Sequence, residues 1–325
     1  MIVVDCTPYG PEPSGARRRA VEILRRLPAL LPEDVFEVHW ARDGGGPPED
    51  LVAENLVHAT VDVSCRGGAW RWWRRRSDLV QRHRDAPFTH LLTDHGPVVA
   101  PARVRNIVTL HDLRFLHGYG GRLRRLYAKT RYGALLRRAA GVIAVSQSVG
   151  AEALMRFALD PERVRVAPNA VADVFAPLPD APRAGVLVVA REERRKARGA
   201  AVAAAQEAGL AIDVVDDACD DAALRARYAR ALWLLAPSLL EGYDMPVVEA
   251  LACGTPVIAS DIPAHRDLVE AGAEGLLLVP VPLKTGATWH WPEAVEALRG
   301  PTPTAVAPPT WTWEASARIL AAALA

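Results

Sequence analysis

Lysine is nearly missing from this chain. Lys129, Lys196 and Lys284 are the only three, against 36 arginines (39 basic residues less three lysines). With abundant alanine, that bias points to a GC-rich bacterial genome. Cysteine is also scarce. Cys6, Cys65, Cys219 and Cys253 lie far apart, which argues against a thiolate metal cage and suits reduced thiols in a cytoplasm. No HExxH, CxxC or Asp-x-Asp occurs, so neither a metal nor a cofactor is expected. Apolar runs such as residues 186–190 and 231–236 stop far short of the ~20 residues that span a bilayer. The opening MIVVDCTPYG lacks a basic stretch followed by an apolar run and a small-residue cleavage site. No signal peptide is expected, and the expected compartment is the cytoplasm.

The chain does have the bulk for two cores. Its 325 residues are 50% hydrophobic and 24% charged, the balance of a soluble globular protein with two domains of about 150 residues each. The formal net charge of +1 conceals an asymmetry. Residues 1–172 carry 26 Lys+Arg against 18 Asp+Glu, or +8, and residues 173–325 carry 13 against 20, or −7. Opposite halves mark separate domains and direct the search for an anionic partner to the first.

The pattern of elements is α/β. Ile2-Val3-Val4 reads as a buried strand, followed by a turn-rich loop over 8–15 and a helix from about Ala16, the opening of a doubly wound unit. Further strands are expected at 35–40, 90–93, 107–110, 142–145 and 164–168, with helices over 123–138 and 149–157. Residues 173–184, with three prolines, read as a linker. A second α/β unit opens at 186–189 and runs through 232–235 and 257–258. The proline-rich segment 301–309 precedes a last helix over about 313–324.

The most informative stretch is 238–280, around EGYDMPVVE. Glu241 falls in a loop and Glu249 just inside a helix, with Pro246 suited to the helix start and Gly254 to its end. A helix start offers unpaired N–H groups and the positive end of its dipole, a ready phosphate site. A loop carboxylate beside it can accept from hydroxyl groups. Together they describe a place for a nucleotide-linked sugar.

The segment SLLEGYDMPVVEALACGTPVIASDIPAHRDLVEAGAEGLLLVP resembles the Glu-x7-Glu region of the retaining glycosyltransferases of family 4. The resemblance implies the GT-B fold: two facing Rossmann-like domains and a C-terminal helix crossing back to the first. Residues 1–172 would form the acceptor-binding domain, 173–184 the linker, 185–310 the nucleotide-sugar domain and 311–325 the crossing helix. It also implies that Glu241 contacts the donor sugar, that Glu249 binds the ribose, and that the backbone of Gly242, Tyr243, Asp244 and Met245 holds sugar hydroxyls. Asp244 stands where the family has glycine, so its carboxylate would accept from a hydroxyl or narrow the pocket.

VLVVAREERRK, residues 186–196, resembles the family's diphosphate loop. Arg191 and Lys196 would stabilise the leaving group, while Arg194 and Arg195 read as solvated. IVTLHDLRFL, residues 107–116, resembles the family segment that brings His111 near the donor sugar, with Asp112 as a second cleft residue or a local cap. His95, in Thr93-Asp94-His95-Gly96, is a further acceptor-side candidate. The first loop, glycine-rich in the family, keeps only Gly10 and Gly15. Ser14 and Gly15 belong either to the site or to a plain β–α turn. Ser146 reads as a helix cap or a site serine, and Asn169 as a structural turn residue.

WRWWRRR at 70–76 suits a membrane interface, an acidic acceptor or a solvated surface. No recognised nucleic-acid motif accompanies it, so no nucleic acid is expected. The implied activity is metal-independent, retaining transfer of a hexosyl unit from a nucleotide sugar to a glycan, lipid-linked or natural-product acceptor. GDP-mannose, UDP-sugars and dTDP-sugars are the candidate donors, and the inner face of the membrane is a candidate place of work. A GT-B sugar-nucleotide epimerase would need acid/base groups that the chain does not place. A catalytically silent glycan-binding subunit is favoured by the short N-terminal domain and glycine-poor first loop.

Overall fold

Short, almost wholly apolar segments such as IVVD, GVIA, VLVV and WLLA become buried strands, as expected of parallel sheets covered on both faces. The computed structural model describes residues 1–12, 14–66, 69–82, 88–94, 100–101, 103–119, 126, 131–179, 181–217 and 219–325. The chain divides into two compact units, Met1–Asn169 with Trp313–Ala325, and Ala170–Thr312.

Unit 1 holds β1 (Ile2–Asp5), β2 (Phe36–Ala41), β3 (Leu56–Val61), β4 (His90–Thr93), β5 (Arg105–Leu110), β6 (Gly141–Ala144) and β7 (Val164–Val166). They pair in the order β3-β2-β1-β4-β5-β6-β7, every pair parallel. The winding reverses between β1 and β4, where Ile2 lies opposite Phe36 on one side and His90 on the other. The helix Trp313–Leu324 belongs to this unit. It packs on the helices Gly15–Leu24 and Leu27–Leu30, buries Trp313, Leu320 and Leu324, and donates a hydrogen bond from Ser316 to the Pro168 carbonyl.

Unit 2 holds β8 (Val186–Val189), β9 (Ile212–Val215), β10 (Trp233–Ala236), β11 (Val257–Ser260) and β12 (Leu276–Val279), in the parallel order β12-β11-β10-β8-β9. The reversal falls between β8 and β10. The helix Arg198–Glu207 presents Ala200, Ala201, Ala204 and Ala205 to the sheet. That spacing keeps one face smooth, so the backbone packs closely on Val186, Val188 and Leu235 and beside Trp291 and Ala294. A hairpin of β13 (Leu283–Thr285) and β14 (Thr288–His290) follows.

Four expectations change. Residues 173–184 are built into unit 2 rather than free between units. Phe175 is buried and meets the Tyr228 ring edge-on, Arg225 donates to the Ala176 and Pro177 carbonyls, and Arg183 donates to Thr255. The helix expected over 123–138 is described only as Gly133–Arg138, and most of its first half lies outside the described residues. The strands β3, β9 and β12 were not expected; all three are sheet edges. Finally, Arg75 of the 70–76 cluster is buried in the helix Ala69–Arg82, bound to Asp5, Asp78 and His39, while Arg74 pairs with Asp62. The side chains of residues 70–73 and 76 lie outside the described set.

If 173–184 is structural, Phe175→Ala removes a packed ring and lowers the unfolding free energy by about 3–5 kcal/mol. Urea denaturation of the two proteins measures the difference, and an unchanged midpoint would return the segment to a free linker.

Candidate active site

In doubly wound sheets the loops leaving the carboxyl ends of the strands part where the winding reverses, and ligands bind there. In unit 2 those are the loops after β8 and β10. A backbone hydrogen bond from Leu239 to the Arg195 carbonyl, 2.7 Å, joins them. The first loop tightens into a 3-10 turn at Arg194–Lys196 and turns into the next helix through Ala197 at φ 44°. The second runs into the helix Met245–Ala252 through Asp244 at φ 70°.

These turns gather charge. Glu241 Oε1 accepts from Arg195 at 2.8 Å, from Ser238 Oγ at 2.9 Å and from Lys196 Nζ at 2.6 Å. Lys196 Nζ also donates to Asp244 Oδ1 at 3.1 Å, and Asp244 Oδ2 faces His265 Nε2 at 3.0 Å. Among the described residues these Glu241 contacts all fall on Oε1, and none falls on Oε2. Burial works against the charge on Lys196, but Asp244 and Glu241 outweigh it and hold its pKa above the ordinary lysine value. Burial alone would raise Asp244; Lys196 and His265 overcome it and hold that carboxyl far below the usual range. A left-handed φ costs most residues roughly 1–2 kcal/mol, with Asp among the more tolerant. Charge-assisted hydrogen bonds worth roughly 1.5–3 kcal/mol each offset it.

Glu249 is buried on the same helix, and its Oε2 accepts from the Tyr228 hydroxyl at 3.1 Å. Burial first, then Glu249, pushes that hydroxyl well above the ordinary tyrosine value. The helix begins one residue before Pro246, so Glu249 is its fifth residue, beyond the first turn. It ends on Gly254 at φ 73°, where the Gly254 and Thr255 N–H groups reach the Leu251 and Ala250 carbonyls.

Unit 1 places its own cluster at its reversal. The loop after β1 supplies Tyr9, β4 leads into Asp94, and His111 follows β5. Tyr9 donates to Asp94 Oδ2 at 2.5 Å, and His111 Nε2 donates to the Asp94 carbonyl at 2.6 Å with Oδ2 3.4 Å away. Arg19, itself buried, stands 3.8 Å from Asp94 Oδ1 and donates to Asn169 and the Ala167 carbonyl. Burial would raise Asp94, but His111, Arg19 and Tyr9 together hold it below the ordinary carboxylate value.

Two family models match this chain. One described as Glycosyltransferase Family 4 covers residues 13–173, and one described as Glycosyl transferases group 1 covers residues 155–284. Together the two models span residues 13–284, and the two parallel sheets with their helices are the α/β two-domain architecture of the GT-B fold. Among solved structures it is similar to a sucrose-phosphate synthase from Thermosynechococcus elongatus (TM-score 0.64, 19% identity, 86% of this chain and 85% of that one). It is also similar to Anabaena HepE in complex with UDP-glucose (TM-score 0.63, 14% identity, 99% and 94%). WaaG, a glycosyltransferase involved in lipopolysaccharide biosynthesis, gives a TM-score of 0.63 at 13% identity over 100% and 90%. The O-antigen chain mannosyltransferase RfbU of Salmonella typhimurium is 44% identical over 50 residues, a match spanning 15% of this chain and 14% of the length of that curated relative.

The structure departs from the sequence reading at several side chains. Arg195, expected to be solvated, is a central partner of Glu241. Alternation with Glu193 and Arg194 hid it, and only the turn geometry reveals it. Arg191 sits exposed at the start of the loop, its carbonyl accepting from Glu193 N–H at 2.8 Å. Asp244, expected to accept from a hydroxyl or to narrow the pocket, has each oxygen engaged within the protein, Oδ1 by Lys196 and Oδ2 by His265. Gly242, Tyr243 and Met245 are buried. Ser14 caps the helix that Gly15 begins, accepting from Arg17 N–H. Asp112 accepts from Arg114 N–H, and Ser146 caps the helix Gln147–Phe157. His95 lies outside the described residues. Asp94, Tyr9 and His265 carried no sequence signal of their own. Among the described residues no group of three or more His, Cys, Asp or Glu could hold a metal ion, and no helix is long and apolar enough to cross a membrane.

Asp94 gives the pH prediction. A carboxyl depressed in the folded state contributes stability above its unfolded pKa, near 3.9, and loses it as pH falls toward the lower folded value. The stability advantage of wild type over Asp94→Asn is therefore full at pH 6 and shrinks below about pH 4. Urea unfolding at pH 6, 4 and 3 checks this; a constant difference would show that the partners do not hold the carboxylate.

Proposed function

We propose that this chain is a metal-independent, retaining glycosyltransferase of family 4. It moves a hexosyl unit from a nucleotide sugar to a glycan, lipid-linked or natural-product acceptor in glycoconjugate biosynthesis. The observation that carries the reading is the meeting of Lys196 and Arg195 with Glu241 where the loops after β8 and β10 join. Glycosyl transfer expels a nucleoside diphosphate, and fixed cations stabilise the charge as it grows. Lys196 serves as the point charge, with Arg195 and the exposed Arg191 as guanidinium partners. Glu241 Oε2 accepts from a sugar hydroxyl, Glu249 from the ribose, and His111 keeps the catalytic place the family resemblance gives it. The departing diphosphate takes the acceptor proton on the face from which it leaves, which retains the anomeric configuration. The mannosyltransferase segment favours GDP-mannose, and the UDP-glucose complex of HepE makes UDP-sugars the alternative. The excess of base over acid in residues 1–172 suits a cytoplasmic enzyme reaching acceptors at an anionic membrane face.

Two measurements test it. Lys196→Ala lowers turnover of the folded enzyme by about 10²–10³, with a lower melting temperature because Asp244 is left buried without its cation; wild-type turnover and donor affinity would make Lys196 a structural ion-pair partner only. Excess EDTA leaves transfer intact, and loss restored by Mg²⁺ would contradict leaving-group stabilisation by these side chains alone.

A further inference from the structure

His265 is wholly buried in the helix Pro263–Glu270. Its Nδ1 lies 2.7 Å from the Ser260 carbonyl and its Nε2 3.0 Å from Asp244 Oδ2. A carbonyl oxygen only accepts, so Nδ1 carries a proton. A neutral imidazole would then turn a bare Nε2 toward a carboxylate, two acceptors face to face. Satisfying both contacts takes one more proton, on the ring or on Asp244. The Lys196 ammonium 3.1 Å from Oδ1 favours the carboxylate form of Asp244, which leaves that proton to the ring. Asp261, at the end of the loop before this helix, is engaged by Arg266.

The ammonium of Lys196 has three hydrogens and no lone pair. Glu241 takes one and Asp244 a second, and among the described residues no other group accepts from Nζ. Resting on the diphosphate reading of Lys196, we propose that Asp244 and His265 are positioning residues: the buried imidazolium anchors Asp244, and Asp244 with Glu241 fixes the ammonium so that one N–H remains for a phosphate oxygen. A protonated ring leaves the cluster of Arg195, Lys196 and His265 against Glu193, Glu241 and Asp244 one charge more positive than a neutral ring would. The arrangement depends on the carboxylate at 244, which a glycine could not supply.

Three lysines in the chain make the test direct, because a ¹⁵N spectrum of lysine ammonium groups holds three signals, and Lys196→Ala assigns one. In the wild type the Lys196 signal is protected from water exchange and moves on adding UDP, GDP or dTDP, and both ring nitrogens of His265 are protonated. His265→Gln removes the anchor; the Lys196 ammonium exchanges at least about tenfold faster, and calorimetric affinity for the best-bound diphosphate falls about tenfold, the scale of one charge-assisted hydrogen bond. Asp244→Gly, which suits φ 70°, gives the same loss of protection and guards against a folding defect in the histidine variant. Unchanged protection in both variants, or a neutral His265 ring, overturns the positioning role and leaves the diphosphate reading standing. A Lys196 signal that none of the three diphosphates moves, with Lys196→Ala binding them as wild type does, overturns both.

Discussion

Parallel strands can be joined only by crossovers, and crossovers keep one hand. A sheet that grows outward in both directions must therefore reverse its winding once, and at that point two loops leave adjacent strand ends in opposite directions. Unit 1 reverses between β1 and β4 and unit 2 between β8 and β10. The groups with chemistry on them gather at those two places: Tyr9, Asp94 and His111 in the first unit, Lys196, Glu241 and Asp244 in the second. Burial of the hydrophobic strands fixes the reversal, and the reversal fixes where polar groups can converge without leaving backbone unpaired.

Convergence of this kind brings like charges close, and the second unit answers by alternating them. Arg195 and Lys196 share one oxygen of Glu241, and Asp244 stands between Lys196 and His265. Each ion is balanced by a neighbour whose own desolvation is balanced in turn, so removing one member leaves another buried and unmatched. The left-handed backbone at Asp244 shows how tightly the set is determined. A residue with a side chain is held where glycine is easier, because its two oxygens are the links.

The interior strands and the glutamate loop stand out in the sequence for different reasons. Central parallel strands such as Val186–Val189 and Trp233–Ala236 are apolar throughout and stand out against any background. In the two large sheets the strands it did not reveal, Leu56–Val61, Ile212–Val215 and Leu276–Val279, lie at sheet edges where most residues are partly exposed, and in the first two His58, Thr60 and Asp213 interrupt the apolar run. Glu241 and Lys196, which the fold brings to 2.6 Å, could be singled out because each lies in a local motif. His265 and Asp94 could not, since each gains its partners through folding over more than 15 residues. Arg195 and Arg191 look alike in sequence; only the 3-10 turn decides which one faces Glu241. The proline-rich stretch at 173–184 misled because proline marks a turn equally well on a packed surface and in a free connection.

The helix Trp313–Leu324 belongs to unit 1 although the whole of unit 2 is inserted before it. On a ribosome the seven strands of unit 1 are all available once Val166 has emerged. The helix that covers its helices Gly15–Leu24 and Leu27–Leu30 is about 150 residues away, ~10–30 s at ordinary elongation rates. During that interval unit 1 has its sheet but not its final cover, and the seats of Trp313, Leu320 and Leu324 are open to water or to a chaperone. Unit 2, continuous in sequence, can close while it waits. The order of completion is thus inverted relative to the order of synthesis: the first unit begun is the last one finished.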